Sequence, residues 1–141
     1  MKMFKLIISL ILAFGTALTG ISAGIAQNPD QQGQEKEMQQ KIDEEVEKYA
    51  DNLKLADWQV FYVDSILNHD YRAMQAEFIE MNKSKVSNTD FYLMIQDKWM
   101  EQIYNSFHKF LDADQWAKYL KTGASKDKKA RDKRAAKRNA K

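Results

Sequence analysis

The chain of 141 residues has no cysteine, one proline (Pro29) and five glycines, of which only Gly123 lies beyond residue 33. Each shortage excludes something. Without cysteine there is no disulfide, no thiolate metal ligand and no lipid attachment of the lipoprotein kind, so packing alone must hold the fold. Without turn formers, a domain of many short strands has nothing to reverse its chain with. Histidine is scarce too: His69 and His108 stand 39 residues apart, too few and too far for a transition-metal site. No glycine-rich phosphate loop is present, Ser65 and Ser106 lack the flanking pattern of an activated nucleophile, and the acidic pair Glu44–Glu45 reads as a solvated helix face. The sequence thus leads to no enzyme, no cofactor and no metal.

What remains is rich in Lys, Glu, Gln, Met and Ala, a composition that favours helix throughout. Lys2 and Lys5 precede one apolar run, Leu6 to Phe14, interrupted by Ser9 and shorter than the ~20 residues that span a bilayer. Small residues follow, ending in Gly24-Ile25-Ala26. This is the pattern of a cleavable export signal, so residues 1–26 are expected to be removed and the protein to work in the periplasm or otherwise outside the cytoplasm.

Charge is split along the chain. Residues 27–120 carry ten basic and 18 acidic side chains, a net charge of −8, whereas residues 121–141 carry ten basic and two acidic ones, a net charge of +8. An acidic body and a basic tail therefore hide behind an overall charge of +2.

Residues 27–34 read as a flexible lead-in and 35–122 as one helical domain. Met38, Ile42, Val46 and Tyr49 make a narrow apolar stripe on a polar first helix, from Glu35 to about Lys54. A second helix is expected from Asp57 to about Lys83, with Val60, Val63, Leu67, Tyr71, Met74, Phe78 and Met81 as a continuous seam. After a break at 84–90, where Ser87, Asn88 or Thr89 offers a cap, a third helix runs from about Asp90 to Phe110. Its face of Tyr92, Ile95, Trp99, Ile103, Phe107 and Phe110 is flanked by Phe91, Met94, Met100 and Tyr104, so it is apolar over more than half its circumference and is either central to the core or exposes a hydrophobic strip. A fourth helix starts at Asp112 and stops near Gly123. The expected fold is all-α, three to four antiparallel helices around a long central hairpin, arranged as a bundle or a thin cradle. Beyond Gly123 no large apolar residue occurs, which predicts a disordered tail over 123–141.

Two helix starts repeat a spacing of leucine and glutamine four apart, Leu55-Ala56-Asp57-Trp58-Gln59 and Leu111-Asp112-Ala113-Asp114-Gln115. In the second, Asp112 is a good N-cap, Gln115 at N3 completes a capping box, and Leu111 can pack on Trp116. In the first, Ala56 falls at the cap and has no acceptor, unless Asp57 takes the cap by a shift of one. The pair of starts, in a small exported helical chain without cysteine, resembles the Spy/CpxP family of periplasmic stress proteins with their L-T-x-x-Q motif. The motif residues are Leu55, Gln59, Leu111 and Gln115; the family's threonine is replaced by Ala56 and Asp112. The resemblance implies a dimer of two copies forming a cradle that binds unfolded or envelope client proteins without ATP. Candidate client-binding residues are Phe61, Tyr62, Phe91, Tyr92, Met94, Trp99, Met100 and Tyr104, aromatic and methionine side chains suited to an adaptable surface.

The tail offers the other interaction surface. Lys128, Lys129, Arg131, Lys133, Arg134, Lys137 and Arg138 are candidate anion-binding residues. In a cytosolic protein they would point to nucleic acid. Export makes nucleic acid an unlikely partner and favours anionic lipid or cell-envelope polymer, which would make the protein a structural, surface-associated one; the alternative is a solubilising tail that folds back on the acidic body.

Overall fold

A computed structural model describes residues 29–84 and 88–140, with side chains from residue 32. The export pattern of residues 1–26 and the cap candidate Ser87 lie outside the described residues. Within them the fold is all-α: α1 (Pro29–Leu53), α2 (Asp57–Lys83), α3 (Thr89–Phe110), α4 (Ala113–Tyr119) and α5 (Ser125–Asn139), with a π-turn at Leu120–Ala124 between the last two. None of these helices is long and apolar enough to cross a membrane.

The described residues divide between two units, 29–41 in the first and those from Ile42 onward in the second. Those of the first unit are helical from Pro29, not a flexible lead-in. Proline is at home in the first turn of a helix, where its missing N–H has no partner to lose, and the Gln/Glu/Lys run after it favours helix.

The second unit is built on the hairpin of α2 and α3. Hydrogen-bonded pairs between them fall at Gln59/Phe110, Asp70/Gln102, Glu77/Lys98 and Asn82/Tyr92. The numbers descend on one helix as they climb on the other, so the hairpin is antiparallel. At 1.5 Å per residue α2 is about 40 Å long. Its predicted seam is the buried one: Val63, Leu67, Tyr71, Met74 and Phe78 face inward, with Val60 and Met81 half-buried at the ends. From α3 come Trp99, Ile103 and Phe107, and from the end of α1 come Ile42, Val46 and Leu53. Phe107 sits at the centre, 5.3 Å edge-on from Tyr49 and 5.2 Å from Tyr119. Asn88 caps α3 by accepting from the Asp90 N–H, which settles the choice among the predicted caps.

Glu45 departs from the solvated face expected of Glu44–Glu45. Its carboxylate accepts from the Tyr71 hydroxyl at 2.8 Å. Burial pushes the Glu45 carboxyl above its usual range, against the lowering effect of hydrogen bonds from Tyr71 and Tyr49. Burial also pushes the Tyr49, Tyr71 and Tyr119 hydroxyls up, so all three stay protonated. A carboxyl whose folded-state pKa is raised contributes stability that is complete below its unfolded pKa and is lost as pH rises through the folded one. Glu45→Gln keeps the acceptor and removes the titration. The variant is expected to unfold at a higher temperature than the parent at pH 7, the gap closing on acidification toward pH 4, as thermal melts across that range would register.

The end of the chain is the largest departure from expectation. Where a disordered tail was predicted, α5 is an ordered helix, and it folds back on α3 of the acidic body, the alternative that the split of charge offered. The missing apolar surface is replaced by ion pairs and guanidinium packing. Asp97, 6% exposed on α3, accepts two bonds from Arg134 (2.9 and 2.5 Å) and two longer ones from Arg138 (3.2 and 3.3 Å). Those bonds to Asp97 raise the pKa of the Arg134 guanidinium further. One turn along, Glu101 takes Arg131 at 3.1 Å and Lys128 at 3.2 Å, and the Arg131 guanidinium lies over the Tyr104 ring at 5.6 Å. Gly123 makes the return possible. Its φ of +111° lies in a region that L-residues rarely adopt, and it separates α4 from α5 as the predicted stop.

Candidate functional site: a glutamine clasp beside an exposed aromatic patch

The two repeated helix starts meet. Gln59 Nε2 donates to Gln115 Oε1 at 2.6 Å, and Gln115 Nε2 donates to Gln59 Oε1 at 2.9 Å, a closed ring of two amides. Each remaining donor goes to the backbone five residues before the opposite glutamine: Gln59 to the Phe110 carbonyl (3.2 Å), Gln115 to the Lys54 carbonyl (3.4 Å). Each Oε1 also accepts the N–H at the cap of its own helix, Ala56 at 2.9 Å and Asp112 at 3.1 Å. Both amides, 5% and 8% exposed, thereby use two donors and two acceptor sites. The hydrogen bonds of one start thus mirror those of the other.

The same contacts explain the local backbone. At α4, Asp112 accepts from the Gln115 N–H at 2.8 Å and the capping box is complete. At α2 the cap is Ala56 itself, with no shift to Asp57, and only the glutamine half of the box forms. Just before it, Lys54 takes φ +55°, and the Leu55 N–H closes back on the Ala50 carbonyl at 3.1 Å, the hydrogen bond of a Schellman stop. Leu111 is buried and Leu55 half-buried, so the leucines of both motifs face the packing between the helices.

Beside the clasp the surface is aromatic. Trp58, Phe61 and Tyr62 are 55%, 68% and 52% exposed on the first two turns of α2. Tyr62 stacks on Phe110 (5.9 Å, 28°), Trp58 meets the same ring edge-on at 6.4 Å, and Phe61 meets Tyr62 at 6.3 Å. Three exposed aromatic rings thus gather around the half-buried Phe110, whose carbonyl accepts from Gln59. Of the predicted client-binding residues, Phe61 and Tyr62 are in this patch. Phe91 and Met94 are exposed near the start of α3, with Ile79 of α2 also exposed. Trp99 is a correction: its ring is buried in the core and is not on the surface. Tyr92 is half-buried, stacked on Phe78 at 5.4 Å. Met100 and Tyr104 are half-buried as well, and Tyr104 packs on Trp116 at 4.9 Å. Trp58 and Phe110 are the patch members that the sequence analysis did not single out for the surface. The signal was their position, one residue before the Gln of one motif and one before the Leu of the other.

The anion-binding candidates divide in two. Arg131, Arg134, Arg138 and Lys128 are engaged with carboxylates of the body or of α5, and do not form the free basic cluster expected of them. Lys129, Lys133 and Lys137 are exposed. The two histidines stay apart: His69 Nδ1 donates to the buried Asp70 carboxylate at 2.7 Å, whereas the His108 ring lies 4.5 Å from Trp116. Among the described residues no three His, Asp or Glu side chains converge as a metal would require. No family model, curated protein or solved structure matches the chain.

Proposed function

We propose that the protein binds other polypeptides outside the cytoplasm, without ATP and without catalysis, and keeps non-native clients from aggregating. The observation that carries this reading is the patch of Trp58, Phe61 and Tyr62 around Phe110. Large aromatic rings left in water at the edge of a well-packed hairpin cost solvation and add little to the fold. Such rings are the side chains that contribute most when a partner covers them, because they bury much area with few rotors. The second exposed set, Ile79, Phe91 and Met94, adds apolar surface of the same kind, with a flexible methionine suited to varied partners. The paired L-x-x-x-Q helix starts and the export pattern support a place near the Spy/CpxP stress proteins, although the threonine of their motif is missing.

The combined variant Trp58→Ser, Phe61→Ser, Tyr62→Ser tests the reading. The parent is expected to suppress aggregation of a denatured client at stoichiometric concentration. The variant is expected to need at least about tenfold more protein for the same protection. Its helicity should be that of the parent, since the three rings are mostly outside the core. Failure of the parent to protect any of several clients would sink the proposal.

A further inference from the structure

The basic helix presents two different faces, and they carry two different residues. Arg131, Arg134 and Arg138 recur at spacings of three and four and turn toward Asp97 and Glu101 of α3. Lys129, Lys133 and Lys137 recur at four and four and are exposed, and their side chains form no ion pair or hydrogen bond among the described residues. The arginines suit the first role, because a planar guanidinium grips a buried carboxylate through two parallel bonds, as Arg134 grips Asp97. The lysines are point charges about 6 Å apart along the helix axis, spanning about 12 Å. Since the arginines hold α5 in place, this row is presented by an ordered helix and needs no undocking to be reached. The acidic residues of α5 do not neutralise it: Asp132 is taken up by Lys128 at 2.5 Å, and Asp127 is half-buried.

We propose that this lysine row binds an extended linear polyanion, by charge alone and independently of the aromatic patch. A single narrow row matches a thread of repeating negative charges better than a plane of them. The exposed side of α5 also lacks the apolar residues that membrane binding needs: between Lys129 and Lys137 the one exposed non-polar residue is Ala136. Binding neutralises anions with three cations, so the logarithm of the affinity falls with the logarithm of salt with a slope of about −2.

Inorganic polyphosphate is the probe, titrated against the full chain at several salt concentrations. The parent is expected to bind with that slope. Lys129→Gln, Lys133→Gln, Lys137→Gln together should lower the affinity at least tenfold at 0.1 M salt and flatten the slope, with helicity and thermal midpoint unchanged, because these side chains have no partner to lose. The serine variants of the aromatic patch should bind polyphosphate as the parent does. Three results would overturn the proposal: no binding by the parent, equal binding by the triple glutamine variant, or tighter binding to vesicles of anionic phospholipid than to polyphosphate.

Discussion

Replacing Gln115 with alanine is expected to destabilise the protein by about 3 kcal/mol, from a single exposed-looking polar residue in a seven-residue helix. Three losses combine. The capping box of α4 loses its returning bond, about 1 kcal/mol. The truncation leaves the Gln59 amide, 5% exposed, with one donor and one acceptor site unpaired, each a cost of about 1–3 kcal/mol before relaxation. The Lys54 carbonyl loses a donor as well. Gln59→Ala should do comparable harm for the mirrored reason, and the double variant should cost clearly less than both singles together, because each single strands the partner that the other removes. Urea unfolding of the four proteins gives the coupling, expected at 1 kcal/mol or more. Additive effects would mean that the two amides do not act as a unit.

The second large effect is expected at Asp97. Asp97→Asn preserves shape and removes the charge that four hydrogen bonds from Arg134 and Arg138 converge on. The two arginines are about one-third exposed and can turn to water, so the loss should fall below that of a fully buried pair, at about 2 kcal/mol. It should be local: amide exchange across Ser125–Asn139 is expected to accelerate about thirtyfold, while the core amides of α2 and α3 keep their protection. Since Asp97 is buried, added salt should weaken the docking of α5 in the parent only modestly. Unchanged exchange in α5 would show that the helix is held by something other than this carboxylate.

Both predictions concern features that the sequence carried only in part. The hairpin was legible because its signal is local: a seam of apolar residues at helical spacing places α2 at Asp57–Lys83, the bounds found in the structure. The capping box at Asp112 was legible for the same reason, being complete within four residues. The clasp was not. Each glutamine has a sufficient local role in its own helix start, and nothing nearby indicates that its second amide hydrogen reaches across 56 residues to the other. The order of α5 was hidden in a similar way. A lysine–arginine–alanine segment has no hydrophobic face to betray a docking side, and the deciding residues, Asp97 and Glu101, lie 30 to 41 positions away from the arginines they hold. Glu45 was misjudged because its partner Tyr71 is 26 residues distant, whereas its visible neighbours are polar. In the predicted client surface, helical period alone left Trp99 free to face outward, and only the packing of α2 against α3 buries it.

The clasp also has a meaning for a chain that cannot form disulfides. It joins two points of the sequence as far apart as a long-loop crosslink would, yet it leaves the unfolded chain unconstrained. A covalent bridge stabilises largely by removing loop-closure entropy from the denatured ensemble. The amide pair acts entirely in the native state, so its closure must be completed anew each time the chain folds. Its contribution is therefore indifferent to oxidants and reductants, and nothing in it can be mispaired or shuffled. A protein exposed to stress that denatures it and then subsides would recover such a staple simply by refolding.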